Sequence, residues 1–133
     1  MEARTHLAAD PRFCGTLLEL GNGFARVSLD AIDAMVVDAH GLVHGGFIFG
    51  LADYAAMLAV NDPNVVLAAA ETRFLRPVRR GDQLIASARR VYAQGRKHEV
   101  SVETSVRSVK VFEGTFSCLV LERHVLEGVG SEG

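Results

Sequence analysis

The sequence predicts an α+β fold in which a strongly curved antiparallel sheet wraps around one long central helix. Three observations carry that expectation. First, Phe47 to Val60 is apolar on almost every side, with Asp53 its only formal charge. A helix that is hydrophobic all round belongs in the middle of a protein, and this one is too short, and too interrupted by its carboxylate, to cross a membrane. Second, six strand-like runs flank it in the order strand, strand, long loop, helix, four strands, and consecutive strands with short turns form antiparallel sheet. Third, one sheet covers an all-apolar helix incompletely, so a second copy joined through the sheet is expected to cover the rest.

The chain of 133 residues reads as a single domain over 1–133, long enough for a real core. Residues 1–12 are expected as a short helix or a frayed arm ending at Pro11. Between Gly15 and Asp30, two short strands flank Gly21-Asn22-Gly23, a strong hairpin signal. In the second of them Ala25, Val27, Leu29 and Ala31 alternate with polar or aromatic neighbours, the mark of a half-buried strand. Ala31 to Val43 is a long connection, and long loops in compact domains are often functional. The helix begins near Gly45 and ends at Asn61-Asp62-Pro63-Asn64, where asparagine favours a turn and proline cannot continue a helix.

Four strands follow. Val65 to Leu75 closes on Arg76-Pro77-Val78-Arg79-Arg80-Gly81-Asp82; Gln83 to Tyr92 turns at Gln94-Gly95. Lys97 to Arg107 has the clearest two-residue period, with Val100, Val102, Thr104 and Val106 on one face. Lys110 to Leu121 is the last, and its turn from the preceding strand lacks glycine, which leaves the register there unassigned. Residues 123–133 are expected as a frayed tail.

Composition narrows the function. A hydrophobic content of 49% with 23% charged residues is that of a globular protein. The net charge of −2 gives no reason to expect nucleic-acid binding. Cys14 and Cys118 stand far apart and outside any metal-ligand spacing, so neither a metal site nor a disulfide scaffold is indicated. Met1-Glu-Ala-Arg-Thr-His lacks the apolar core of a signal peptide, and a cytoplasmic protein is the expectation.

Asp53 is the residue to explain. An ionised carboxylate among apolar groups costs several kcal/mol unless it is paired, hydrogen-bonded or neutral. It is either a tolerated acid reaching the rim or a general base or nucleophile at the end of a pocket. Perturbed carboxylates concentrate at active sites, and histidines and paired glycines stand just upstream, in Asp38-Ala-His40-Gly41-Leu-Val-His44-Gly45-Gly46.

That element order, with Gly41-Leu-Val-His44-Gly45-Gly46, then Leu51-Ala52-Asp53, and with Phe74-Leu-Arg-Pro77 leading to Gly81-Asp82, resembles the hot-dog-fold acyl-CoA thioesterases of the phenylacetate-degradation (PaaI-like) type. The resemblance covers roughly Gly15 to Leu121. It implies hydrolysis of an acyl-CoA thioester by a homodimer or a dimer of dimers, with no cofactor beyond the coenzyme A of the substrate. It also implies a composite site, with the carboxylate from one subunit and the oxyanion donor from the other.

The residues suit that chemistry. The Gly45 N–H at the helix start lies where unpaired amides and the positive dipole end favour an oxyanion, and glycine at 45 and 46 lets a carbonyl approach. Asp53 lies about two turns further along and could attack the carbonyl or deprotonate water. His44 could donate to the thioester or the leaving sulfur, or simply pack on the helix start. Asp38 stands where many relatives carry an amide residue; it is a second acid near the site or a loop residue capping a turn. Met57 stands where some relatives place a hydroxyl that holds water. Arg76, Arg79 and Arg80, with Arg73, suit the phosphates of coenzyme A or form a solvated strand end. His40 is expected in solvent and His98 in a structural place. Glu71 points outward or lines the partner's pocket, and Ala68 to Ala70 border an acyl tunnel or a subunit contact.

Two other readings keep the fold. An enoyl-thioester hydratase would pair a histidine with an acid, but its usual Asp-to-His spacing of five is not met by Asp38 and His44. A non-catalytic acyl-CoA-binding module is the other; the absence of a DNA-binding segment in this length argues against a repressor.

Overall fold

The computed structural model describes residues 1–130. In chain order it contains α1 (Pro11–Cys14), β1 (Thr16–Gly21), β2 (Phe24–Asp30), a 3-10 turn (Asp33–Met35), α2 (Gly45–Val60), β3 (Val65–Phe74), β4 (Gln83–Gln94), β5 (Lys97–Val106), β6 (Val109–Val120) and α3 (Val125–Gly130). The strands make one six-stranded sheet in the order β1-β2-β4-β5-β6-β3, every pair antiparallel. The sheet curls around α2, as expected of the hot-dog arrangement.

Alternation decides which strand faces meet the helix. Ala25, Val27 and Leu29 of β2, Leu84, Ala86 and Ala88 of β4, Val100 and Val102 of β5, and Phe112, Phe116 and Cys118 of β6 are all buried. They pack on Ile48, Leu51, Ala55, Met57, Leu58 and Ala59 of α2. The alanines on both sides bring helix and sheet close. Gly15 shows how close: a Cβ there would lie 2.7 Å from the Ser28 carbonyl oxygen and 3.0 Å from Leu51.

The ends of the chain differ from the expectation. Helix α1 begins at Pro11, because Asp10 accepts the Arg12 N–H as its cap and proline suits the first helical position. Residues before it are a pinned arm: the Arg4 N–H donates to Asn61 Oδ1 at 2.7 Å and Asn61 Nδ2 donates to the Glu2 carbonyl at 2.9 Å. Asn61 can do this because it ends α2 in the left-handed conformation, φ 54°. At the other end, α3 occupies 125–130 where a frayed tail is expected; His124 Nδ1 accepts the Leu126 N–H and starts the turn. Residues 131–133 of that expectation lie outside the described residues.

The β5–β6 turn resolves the register left unassigned. Arg107 and Ser108 both take positive φ, 50° and 68°, in a two-residue loop between paired Val106 and Val109. That is the backbone a tight hairpin demands, adopted without glycine. Strand β3 pairs only with β6 and forms an edge of the sheet.

Candidate active site

The N-terminus of α2 is built by His44 and two glycines. His44 is the N-cap, and its Nδ1 accepts the Gly46 N–H at 3.3 Å. With Nδ1 accepting, the neutral ring carries its proton on Nε2, a donor on an exposed side chain. Gly46 is small for a reason: a Cβ there would lie 3.3 Å from His44 Nε2. Gly45 occupies the first helical position, where an N–H has no acceptor within the helix.

Beside Gly45 lies a groove of about 260 Å³ walled by Leu42, Val43, Ile48, Phe74 and Leu75, with Arg76 its charged member. The Phe74 ring passes over Gly45, 3.3 Å from where a Cβ would be, and meets Phe112 edge-on at 5.1 Å. Phe74, Leu75 and Leu42 remain exposed. A large apolar surface open to water beside a free amide is the arrangement of a binding groove rather than a core. The sequence marks Phe74 only as the start of the strand-end motif Phe74-Leu-Arg-Pro77 and not as a wall of the groove. The available signal was the apolar pair Phe74-Leu75 immediately before Arg76-Pro77, at a strand end.

Asp53 sits two turns along α2. Its Oδ1 is buried and has no hydrogen-bond partner. Burial raises its proton affinity, and the charge of His6 on the N-terminal arm opposes that rise. Cys14 of α1 and Cys118 of β6 both feel the Asp53 charge; burial foremost pushes the Cys118 thiol up to about 12. The carboxylate therefore faces a weakly solvated place with no cation bonded to it.

One chain does not bring the two groups together. Eight residues of helix separate Gly45 from Asp53, about 12 Å along the axis, whereas a donor and an attacking group must each lie about 3 Å from one reacting carbonyl. Asp53 and Gly45 of a single chain are thus too far apart to act on one carbonyl.

The remaining candidates divide. The Asp38 carboxylate accepts the N–H groups of His40 at 2.9 Å and Leu42 at 3.2 Å, so it holds the loop that leads to His44. Met57 does not reach the groove: it is 1% exposed in the core, and its carbonyl accepts the Asn61 N–H. Arg76 lines the groove, whereas Arg80 faces Asp33 at 3.5 Å and the Arg79 N–H is bonded to the Asp82 carboxylate. Glu71 is exposed and lines a separate polar groove with Arg73, Glu103 and Glu113. Among the described residues no cluster of His, Cys, Asp or Glu has metal-holding geometry, and no helix is long and apolar enough to cross a membrane.

The thioesterase superfamily pattern matches residues 40–111, the stretch that runs from the His44 loop into the start of β6. An uncharacterized protein, PH1136, from Pyrococcus horikoshii is 51% identical, with a TM-score of 0.94 over 95% of this chain and 97% of that one. Acyl-coenzyme A thioesterase PaaI of Escherichia coli is 34% identical over 74% of this chain and 73% of its own length. A 48% identical relative, covering 91% of this chain, is the methylthioribose-1-phosphate isomerase of Aquifex aeolicus. The chain spans only 26% of that protein's length and 57% of the next curated relatives'. The protein whose helix start, groove and lone carboxylate are described above belongs to the thioesterase superfamily and has its hot-dog fold.

Proposed function

We propose that the protein is an acyl-CoA thioesterase, hydrolysing the thioester to free acid and CoA in a homodimer whose sites each draw on both chains. The observation that carries this reading is a buried, unpartnered carboxylate oxygen at Asp53 on the helix whose first amide opens on an apolar groove. In the reaction, Asp53 of one chain takes a proton from water as the water oxygen bonds to the carbonyl carbon. The Gly45 N–H of the other chain holds the oxyanion that forms, helped by the helix dipole. The carbon–sulfur bond then breaks, and the thiolate of CoA leaves and takes up the proton. A base is most useful when its proton affinity approaches the working pH, and burial moves Asp53 that way. On this reading the His44 Nε2–H donates to the sulfur or the carbonyl. Phe74, Leu75 and Leu42 take the apolar part of the substrate, and Arg76 a phosphate.

The same geometry supports the proposed dimer. If Gly45 and Asp53 serve one carbonyl, the helix offset of about 12 Å calls for a second copy, and β3 offers the seam: ten residues long, unpaired on one side and exposed over Ala68 to Glu71. An open edge of that length pairs unless blunted, and its alanines permit close approach. No cofactor is needed beyond the coenzyme A of the substrate, and a cytoplasmic setting suits two free cysteines.

A non-catalytic acyl-CoA-binding module is the second reading, favoured by Met57 lying in the core one turn from Asp53, where no hydroxyl can hold the water. A panel of acyl-CoAs read by free-thiol release separates the two. Turnover that is lost in Asp53→Asn supports hydrolysis; saturable binding with no thiol release supports the binder. A hydroxamate formed when hydroxylamine cleaves an acyl-Asp53 anhydride would make Asp53 the nucleophile instead.

A further inference from the structure

Helix α2 holds a glycine that nothing within the chain explains. Glycine inside a helix costs stability against alanine. Other glycines of this protein have local reasons: Gly15, Gly23, Gly41, Gly81 and Gly95 take positive φ, and a Cβ at Gly45, Gly46 or Gly114 would lie 3.3 Å or less from a neighbour. Gly50, well inside α2, has neither reason: apart from the adjoining helix backbone, no atom lies within 4 Å of where its Cβ would be. Where α2 packs closely it uses alanine, buried at Ala52, Ala55, Ala56 and Ala59, and an alanine would fit at 50 in the single chain. The neighbours of a helix position are the residues three and four away. For Gly50 these are Gly46 and Asp53 on one side, Phe47 and Tyr54 on the other, both aromatics only partly buried. Side chains on a helix lean toward its N-terminus. The Asp53 carboxylate, with its buried and unpartnered oxygen, therefore leans toward the turn that holds Gly50.

Resting on the hydrolase reading of Asp53, we propose that Gly50 is a specificity-determining residue: it makes room for an acyl group branched at the carbon next to the thioester carbonyl. A carboxylate that activates water stands one water away from the reacting carbon, with about 3 Å between successive atoms. The open space one helical turn from Asp53 therefore falls to the first carbons of the substrate and not to its far end. Phe47 and Tyr54 border it with hydrocarbon, which suits the acyl side of the thioester better than the amide-bearing arm of coenzyme A. A straight chain passes the space without filling it, whereas a methyl or ring carbon at the branch packs against the bare Gly50 backbone. A methyl group on residue 50 competes for the same place.

The test is the binding of two isomeric ketone analogues of acyl-CoA, in which a methylene between sulfur and carbonyl blocks hydrolysis. One is 2-oxopentyl-CoA, with a straight chain; the other is 3-methyl-2-oxobutyl-CoA, branched beside the carbonyl. Calorimetry on wild type, Gly50→Ala and Gly50→Leu reads their affinities. Wild type is expected to bind the branched ketone at least as well as the straight one. Gly50→Ala should weaken the branched ketone by about 10-fold or more and leave the straight one unchanged, the worth of one methyl in an apolar place. Gly50→Leu should weaken both. Gly50→Ala should also keep the oligomeric state of wild type in sedimentation and melt above it without ligand, because alanine favours the helix. Equal effects of Gly50→Ala on the two ketones, or none, overturn the proposal, as does a wild type that rejects the branched ketone or binds neither. A changed oligomeric state or a lowered melting temperature in Gly50→Ala overturns it too, because the space then belongs to a subunit contact or to this chain's own packing. The ratio of kcat/KM for isobutyryl-CoA to that for butyryl-CoA should fall with the binding ratio. Discrimination between the ketones in a protein that releases no thiol from any acyl-CoA removes the hydrolase reading alone. Thiol release without that discrimination removes the role of Gly50 alone.

Discussion

Burial works against Asp53 as an ion, and the opposition has a definite sign. Its proton affinity is raised in the folded chain, so between the ordinary aspartate range and the raised value the folded state binds more protons than the unfolded one. Stability contributed there is fully present below the ordinary range and is lost as pH rises through the window. Asp53→Asn removes that penalty. It is expected to melt above wild type at neutral pH, with the difference vanishing on strong acidification; thermal denaturation across pH reads this, and an equal melting temperature at neutral pH contradicts it. The same variant should lower thiol release by about 10²–10⁴-fold, the usual worth of a positioned base. Gly45 permits a second test, with Gly45→Ala as the control for an added Cβ, which would meet the Phe74 ring at 3.3 Å. Proline is well suited to the first helical position and removes the N–H, and His44 already has the extended backbone, ψ 130°, that a following proline requires. Gly45→Pro should therefore keep the fold by circular dichroism while kcat drops by about 10²–10³-fold, the loss expected for one oxyanion donor. Full activity in this variant would put the donor elsewhere.

The strands differ in how much of themselves they disclose. Strands β2 and β5 are legible because every second residue faces α2: Val27 and Leu29 in one, Val100, Val102 and Thr104 in the other, all buried. The helix and its acid are legible for the same reason, one charge in an apolar run. Strand β3 is legible as a strand, Val65–Phe74, but not in its faces, because Ala68-Ala69-Ala70 has no period of its own. That Phe74 sits opposite Phe112 follows from pairing with β6, and only that pairing brings its ring over Gly45. The arm was illegible because its anchor lies 57 residues away, and nothing in a run of arginines tells Arg76 in the groove from Arg80 beside Asp33. The β5–β6 turn was misleading for a physical reason that can be measured. A left-handed residue with a side chain costs roughly 1–2 kcal/mol, and the extra freedom of glycine in the unfolded chain offsets roughly 0.5–1 kcal/mol of any relief. Ser108→Gly is thus expected to stabilise the protein by about 0.5–1 kcal/mol. Denaturant unfolding reads it as a raised midpoint with an unchanged slope, and a lowered midpoint would mean that the Ser108 side chain holds the turn by contacts.

On the proposed reading the two halves of the site meet only in an assembly, and that is testable. Helix α2 separates Gly45 from Asp53 along its own length, and no bending of a buried helix flanked by six strands closes a gap of about 12 Å. In the proposed dimer a two-fold axis would bring each chain's Asp53 near the other chain's Gly45, giving two equivalent centres. Asp53→Asn breaks one half of each centre and Gly45→Pro the other, and each homodimer should be inactive. A heterodimer of the two variants, co-expressed with different tags and purified through both, carries both defects in one centre and neither in the other. It should therefore recover about half the thiol release of wild type. A centre built within one chain predicts the opposite, because each chain of the heterodimer then keeps its own defect and no intact centre forms. Recovery in the heterodimer, with sedimentation showing a dimer for all three species, would establish the shared site; a heterodimer as inactive as its parents would remove it.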